Sequence, residues 1–513
     1  PAPLPLWHAR VDRAAWSAVA RFAAGSSGRR VSRWGVDRGA VAGPDGGAGG
    51  DGGEGGALSV NAALATAEGL LWAELPLAER HERYPDLTPA FACATRLQRA
   101  IADLSGLHAD GAHDQRPWLD HGLWSGTPPL QQGEAPASTG TLPADYAFVR
   151  VQGEGVHEIA VGPVHAGIIE PGHFRFSVVG EKVLKLEQHL GYVHKGVERR
   201  FTELPPLKAH RLAGRISGDS TVAYAWAYAM ALESAWRAAV PERALWLRAL
   251  MLERERVANH LGDLGALGND AGLGFGLAQF SRLRENWQRR SGEAFGHRFM
   301  MDTVVPGGVA ADLPAGQADA IARQGDVIER EVRRLRQVYD EHAGLQDRFM
   351  TTGRVMPELA ARLGLTGMAG RASAQAHDLR CDHPWPPYPQ LQPCKAGSEA
   401  GDVAARVAVR FDEVFESLRL IRELCAALPA GAVHTEPAAP AADAYGAGWV
   451  EGWRGEVLVA LETTAEGRIR RCHVHDPSWQ NWPVLEHAIM GNIVPDFPLI
   501  NKSFNLSYSG HDL

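Results

Sequence analysis

The chain of 513 residues has a formal net charge of −8 at pH 7 and a pI near 6.3, and this acidic balance gives no electrostatic basis for binding nucleic acid. No apolar run reaches the roughly 18 residues that cross a bilayer, and residues 1–10 lack the cationic start and apolar stretch of a signal peptide. Five scattered cysteines, with no C-x-x-C pair, suit a reducing compartment. We therefore expect a cytoplasmic chain that reaches a membrane only through partner subunits.

Residues 1–125 are predicted to form a small α+β domain, the first of the two to four domain-sized units that this length allows. Segment 43–56 is dominated by glycine and cannot bury apolar surface, so we expect a flexible loop there. A helix is predicted over Ala94–Leu104. Residues 126–145, rich in Pro, Gly, Ser and Gln, are predicted to be a linker.

The rest of the chain, 146–513, is predicted to be mostly α with small β elements. Its apolar residues recur at three- and four-residue spacing, as in the buried helices of a bundle. The predicted helices cover residues 183–201, 220–239, 242–262, 274–295, 315–345, 402–428 and 483–490. The predicted strands are Tyr146–Arg150, His157–Val161 and a closing hairpin of Glu456–Glu462 with Ile469–His473.

Six motifs follow one another along this second unit, at residues 162–174, 190–198, 215–220, 370–384, 451–456 and 496–513. Together they resemble the large subunit of group 4 (membrane-bound, energy-converting) nickel–iron hydrogenases and the 49-kDa subunit of complex I. The first unit resembles a degenerate form of the 30-kDa domain of complex I, which often precedes the large-subunit domain in fused proteins. The resemblance implies the helical-bundle fold of that family.

The four positions that hold the metals in these hydrogenases carry other residues here. The family run R-I-C-G-x-C falls on residues 215–220, with Ser217 and Ser220 at its two cysteines. In the tail, Ser507 and Gly510 fall at the second cysteine pair. Because a thiolate suits nickel and iron whereas a serine hydroxyl stays protonated and binds them poorly, we predict no nickel–iron centre and no active hydrogenase.

Two residues of the motif at 162–174 gain candidate roles from the resemblance. Glu170 falls where these hydrogenases carry a proposed proton-relay glutamate, and the alternative is a surface carboxylate or a salt bridge. His165 matches the first of two histidines that line the quinone cavity of complex I, and the alternative is a structural hydrogen bond. The second histidine is Ile169, and the tyrosine that binds quinone aligns with Gly218.

Arg454 is the arginine that faces the metal site in relatives of this family. An unpaired guanidinium in a cavity is costly, so an anionic partner is required. Asp219, between the two serines, is the predicted partner, because relatives usually carry an uncharged residue there. The alternative is that Asp219 faces solvent and Arg454 packs on Trp453.

Further residues are predicted to be structural. Arg215 is expected to form an anchoring ion pair. His473, His475 and Asp476 could suggest a metal site, but ordinary polar residues of a strand are the favoured interpretation.

The resemblance implies partners as well as a fold. The family's partners are an iron–sulfur small subunit, like the one in complex I, and ion-translocating membrane subunits. We expect this chain to bind no cofactor itself, with quinone as a possible ligand, and to sit on the inner face of a bacterial cell membrane. One hypothesis is an oxidoreductase subunit that passes electrons from the partner's cluster to quinone or another acceptor. The alternative is a non-redox structural and coupling subunit.

Overall fold

The computed structural model describes residues 5–26, 28–38, 58–124, 126–131, 146–165 and 169–513. The predicted glycine-rich loop at 43–56 lies outside the described residues, as does the predicted linker beyond residue 131. The predicted fold class is confirmed: a largely helical second unit with small sheets follows a small α+β unit.

The first unit is built on a sheet of four strands in the order β1-β4-β3-β2, with β1 parallel to β4 and the other pairs antiparallel. The predicted helix at 94–104 is confirmed within one residue at each end. The elements are β1 (Leu6–Arg10), α1 (Arg13–Gly25), β2 (Arg29–Asp37), β3 (Leu58–Thr66), β4 (Gly69–Leu77), β5 (Tyr84–Pro85), α2 (Thr95–Ser105) and β6 (Ala109–Asp110).

A second sheet of three antiparallel strands opens the second unit, and it corrects two predictions. Its strands are β7 (Val156–Val161), β8 (His173–Val179) and β9 (Lys182–His189). The predicted helix at 183–201 is wrong over most of its length, because β9 alternates buried and exposed residues and pairs with β8; only α3 (Val197–Thr202) is helical. The strand predicted at 146–150 is also wrong, since this segment pairs with no other strand among the described residues.

The long helices form the centre of the unit, and each was predicted, although the helix predicted at 242–262 runs eight residues further, to Asp270. None of the helices in the described part of the chain combines the length and apolarity that crossing a bilayer needs. The helices are α4 (Pro206–Ala213), α5 (Thr221–Trp236), α6 (Glu242–Asp270), α7 (Gly274–Phe295), α8 (Gln317–Glu341), α9 (Ala343–Phe349), α10 (Pro357–Leu363), α11 (Gly367–Arg371), α12 (Leu379–Asp382), α13 (Tyr388–Leu391) and α14 (Val403–Ala426).

Two small β elements and three helices complete the unit. A hairpin of β10 (Val304–Val305) and β11 (Gly308–Val309) lies between α7 and α8. The predicted closing hairpin is confirmed as part of a sheet of three strands, β12 (Ala444–Glu451), β13 (Glu456–Thr463) and β14 (Ile469–His475). The chain ends in α15 (Ser478–Ala488), α16 (Phe497–Phe504) and α17 (Tyr508–Asp512).

The first unit packs on this last sheet through buried polar contacts. Arg29 forms an ion pair with Glu456 at 2.5 Å. His473 binds Glu198 through Nδ1 at 2.6 Å and Ser32 through Nε2 at 2.7 Å, and His475 also contacts Ser32. The two histidines therefore join the units, as polar residues of a strand, and no group of three metal-ligating side chains is present among the described residues.

A buried charged network joins α6, α11, α12, α14 and β12. In it, the Arg371 guanidinium donates to Glu413 at 2.6 Å and to Glu451 at 2.8 Å, and Arg380 pairs with Glu253 at 3.0 Å. The charged network comprises Glu253, Arg256, Arg371, Asp378, Arg380, Glu413 and Glu451, all almost inaccessible to solvent. Burial raises the pKa of a carboxyl group, but Arg371 and His260 outweigh that effect and hold the pKa of Glu413 well below its usual range.

Candidate functional site

The run from Ser217 to Ser220 forms a 3₁₀ turn that leads into α5. The turn covers Gly218–Ser220, and Ser217 precedes it in an extended conformation. Arg215 anchors the start of the run by a two-pronged ion pair with Asp302, at 2.6 and 2.8 Å. The anchoring pair predicted for Arg215 is therefore present.

The tail brings the other two candidate positions to the same place. Ser507 caps α17, because its hydroxyl accepts from the Gly510 amide at 2.8 Å. The same hydroxyl lies 3.0 Å from the hydroxyl of Ser217, although 290 residues separate them. Ser220 completes the group, which we call the substituted site: Ser217, Ser220, Ser507 and Gly510. Its members are buried.

The carboxylate of Asp219 is bound inside this group. Its Oδ1 accepts from the hydroxyls of Ser217, at 2.7 Å, and Ser220, at 3.0 Å. Its Oδ2 accepts from Nη2 of Arg454 at 2.7 Å. Burial would raise the pKa of Asp219, but the Arg454 guanidinium and the two hydroxyls outweigh it and lower the pKa below the usual value.

Arg454 lies against both the predicted partner, Asp219, and the ring of Trp453. It pairs with Asp219, and its guanidinium also lies over the ring of Trp453, 4.2 Å from the centroid. A further bond from Nε to the carbonyl of Asn505 ties it to the tail. The Arg454 side chain is 3% exposed and the Asp219 side chain 33%, so the pair closes the interior side of the site and leaves one side open.

Gly510 stands where no side chain fits without movement. A Cβ at this position would lie 2.6 Å from Oδ2 of Asp476 and 2.7 Å from the hydroxyl of Tyr224. Those two groups are hydrogen-bonded to each other. A cysteine at Gly510 would therefore displace a buried hydrogen bond, and the fourth ligand position is closed by packing as well as by residue type.

The donors of the substituted site do not fit a nickel–iron centre. Three hydroxyls replace anionic thiolates, and the single carboxylate already holds a guanidinium. A divalent cation placed there would meet the charge of Arg454 at close range, with no soft ligand to compensate.

Glu170 and His165 take different positions relative to this site. Glu170 accepts from the Ser509 amide at 3.1 Å and from the Ser509 hydroxyl, so it touches the tail next to Gly510. His165 binds the carbonyl of Gly172 at 2.9 Å, within its own loop. Among the described residues, no hydrogen bond joins either side chain to Asp219. The structure thus brings Glu170 to the edge of the substituted site and leaves His165 in a local structural contact.

A cavity of about 310 Å³ opens beside Gly218 and Asp219. It lies between α6, α7 and residues 298–301, and we call it the α6–α7 cavity. Glu255 of α6, which the sequence analysis did not single out, lines it and accepts from the amides of Val222 at 2.7 Å and Ala223 at 3.2 Å. Burial raises the pKa of Glu255 to about 8, against the effect of these two amides.

The signal for Glu255 was present in the sequence. Four charged residues in a row, 253–256, interrupt α6 with apolar residues one turn away on either side. A charged run on a helix is usually a solvated face, and the apolar residues that flank this one are the signal that its charges could be covered by other elements and would then need partners.

Comparison with known proteins identifies a matching family and several relatives. Residues 270–444 match the family described as "Respiratory-chain NADH dehydrogenase, 49 Kd subunit". The chain is 31% identical to formate hydrogenlyase subunit 5 of Escherichia coli (strain K12), over 84% of this chain and 77% of that protein. It is 31% identical to the carbon monoxide-induced hydrogenase of Rhodospirillum rubrum, over 68% of this chain and 97% of that protein.

Two further matches extend the comparison to respiratory proteins. One subunit of the NADH-quinone oxidoreductase of Paramagnetospirillum magneticum (strain ATCC 700264 / AMB-1) is 27% identical over 66% of this chain and 94% of that protein. Among solved structures, a chain of the membrane-bound sulfane sulfur reductase, an archaeal respiratory membrane complex, superposes with a TM-score of 0.66. The identity is 25%, over 70% of this chain and 99% of that chain.

Proposed function

The chain belongs to the family that unites the large subunits of group 4 hydrogenases with the 49-kDa subunit of complex I, and from this premise we propose that it is a large subunit of a membrane-bound oxidoreductase complex without a nickel–iron centre. The observation that carries the proposal is the Asp219–Arg454 pair inside the substituted site. Hydroxyls that stay protonated and a carboxylate that is already paired replace four soft anionic ligands.

Elemental analysis tests whether the nickel–iron centre is absent. The complex, purified from membranes of the native host, is expected to contain nickel far below one atom per chain. Iron measured in the same sample reports whether the proposed small subunit carries iron–sulfur clusters. Nickel at close to one atom per chain overturns the proposal.

The second part of the proposal is a path for electron transfer. An iron–sulfur small subunit would pass them to quinone or another acceptor in the α6–α7 cavity, and membrane subunits would couple this step to ion translocation. Reduction of a quinone to a quinol consumes two electrons and two protons. Glu255 lines the cavity, and its raised pKa suits a carboxyl group through which protons from water can reach the acceptor.

Gly218 gives a direct test, because an added Cβ there meets no atom within 4 Å. Gly218→Phe is expected to fill the cavity and abolish reduction of the acceptor by the assembled complex. Gly218→Ala is the matched control and is expected to keep the rate within about twofold. A Gly218→Phe complex that reduces quinone at the normal rate shows that the acceptor binds elsewhere.

A second candidate function is supported by the way in which the substituted site is filled. Asp219, Arg454 and the serine hydroxyls hydrogen-bond to one another and occupy the place of the metals. Such a site suits a non-redox subunit that transmits conformational change to the membrane arm. Electron paramagnetic resonance of the reduced complex separates the two functions. Electron transfer through this subunit predicts the signal of a reduced iron–sulfur cluster, and the scaffold function predicts that no such signal appears.

A further inference from the structure

Two of the arginines that line the α6–α7 cavity form no ion pair with any residue that the structure describes. Three arginines line the cavity: Arg254, Arg284 and Arg298. Arg298 is satisfied, because it pairs with Glu285 at 2.5 Å and donates to Gln288 at 2.8 Å. The other two have no carboxylate partner among the described residues.

Arg254 is the more unusual of the two, because it is completely buried. Its guanidinium donates to the hydroxyl of Ser291 at 3.0 Å and the carbonyl of Trp287 at 2.9 Å, and it lies over the Trp287 ring. Its Nη1 has no hydrogen-bond partner within the described part of the chain. Burial lowers the pKa of Arg254 to about 9, which leaves a cation at neutral pH. A buried cation with an unused donor group is costly unless an anion reaches it.

Arg284 lies on α7, on the same cavity. Its Nε is buried and has no hydrogen-bond partner among the residues that the structure describes. The guanidinium packs against the backbone of α6, since a Cβ added to Gly262 would lie 3.2 Å from its Cζ. Two guanidinium groups with unused N–H donors thus border one space.

The two carboxyl groups that line the cavity do not compensate these arginines. Asp219 is paired with Arg454, and Glu255 accepts from two backbone amides at the start of α5. In the described structure, neither forms an ion pair with Arg254 or Arg284.

The remaining lining limits the kind of anion. Phe299, Met300, Met301 and Ala258 give the cavity an apolar wall, and Phe299 is 37% exposed. The volume lies near the lower end of the roughly 300 to 1,000 Å³ of ligand pockets. A planar guanidinium binds a carboxylate with two parallel hydrogen bonds.

From these features we infer that the α6–α7 cavity is a binding site for a small organic anion, a carboxylate with an apolar body, held by Arg254 and Arg284. This inference goes beyond the proposed function, because it rests on two arginines that have no carboxylate partner among the described residues and not on electron transfer into the cavity. If electrons do reach it, the inference restricts the acceptor, or a regulator of that step, to an anionic molecule.

Binding of benzoate and benzamide, compared by isothermal titration calorimetry on the purified complex, tests the inference. The two probes share size and apolar ring and differ in charge. Benzoate is expected to bind at least tenfold more tightly than benzamide and to raise the thermal unfolding midpoint. Inorganic phosphate, added at equal ionic strength, is expected to bind more weakly than benzoate; tighter phosphate binding overturns the organic part of the assignment.

Two substitutions test whether benzoate binds in the α6–α7 cavity. Arg284→Gln is expected to weaken benzoate binding at least tenfold, while Arg298→Gln, at an arginine of the same cavity that is already paired, is expected to change it less than threefold. Arg284→Gln is the primary variant because Arg254, fully buried, could be needed for folding. Equal benzoate and benzamide affinities, or equal effects of the two substitutions, overturn the inference. Benzoate binding together with full activity of Gly218→Phe leaves this inference standing and overturns the acceptor site.

Discussion

The charged network and the substituted site both place arginine against carboxylate in the interior, but the network is almost inaccessible to solvent and the site borders the α6–α7 cavity. In the network, Arg371 and Arg380 each meet two or more acidic partners, and every member is almost inaccessible to solvent. At the site, Asp219 meets one arginine and two hydroxyls and keeps 33% of its side chain exposed.

The two regions use buried charge differently: the network stabilises the fold, whereas the site leaves polar groups next to a cavity. A network whose donors and acceptors are all matched fixes the arrangement of four helices and a strand and leaves nothing for a ligand. The Asp219–Arg454 pair has one open side and lies next to a cavity lined by two arginines that lack a carboxylate partner in the described structure. This arrangement leaves room for a ligand. Three experiments test whether the two regions differ in this way.

Breaking the network is expected to have the largest effect. Arg380→Met leaves Glu253 and Asp378 without their shared cation, and removal of one partner of a buried pair costs about 3–5 kcal/mol. The thermal unfolding midpoint of the complex should fall by several degrees. Arg200→Gln, which removes an exposed pair with Glu203 at 3.0 Å, is the control and costs at most about 1 kcal/mol. Equal shifts for the two variants would show that the network is not structural.

Packing at the substituted site is tested by two glycines. Gly510→Ala places a Cβ against Asp476 and Tyr224, and overpacking of this kind costs about 1–3 kcal/mol. Gly218→Ala, next to Ser217 of that site but facing open space, is expected to change stability by less than about 1 kcal/mol. Thermal unfolding of both variants measures the contrast. If Gly510→Ala is neutral, the fourth ligand position is open and a cysteine could stand there.

The titration of Glu255 is expected to change the stability of the chain gradually with pH. Its pKa in the folded chain, about 8, exceeds the ordinary value of 4.5, so the folded state holds a proton that the unfolded state has lost. Glu255 therefore lowers stability as pH rises from about 4.5 to 8, with a slope of at most about 1.4 kcal/mol per pH unit, and has no effect below that window.

The Glu255→Gln variant removes this titration. Its stability relative to the wild-type chain is expected to increase as pH rises through the same window, measured by urea unfolding at a series of pH values. Parallel stability curves for the two proteins would mean that Glu255 is ionised throughout and that its two amide bonds outweigh burial. The result decides whether the open side of the site carries a proton near neutral pH.

The sequence predicted the long helices well and the entry to the second unit poorly. Helices such as α7 and α14 carry an apolar stripe over many turns, which local spacing reveals. Residues 183–190 carry apolar side chains whose spacing fits a helix or a strand, and only pairing with β8 decides between them. The charged network was missed for a related reason, since a charged run on a helix is solvated unless other elements cover it.

At the site, residue types and motifs in the sequence predicted the family of the fold and the absence of thiolate ligands. The softness of a ligand is a property of the residue type, which no folding changes, so Ser217, Ser220 and Ser507 carry that conclusion unaided. Only the tertiary structure decided that these positions meet, that Arg454 reaches Asp219, that Gly510 has no room for a side chain and that Arg254 lacks an anion among the described residues. Those facts depend on distances between residues far apart in the chain and on which charges are buried without a partner.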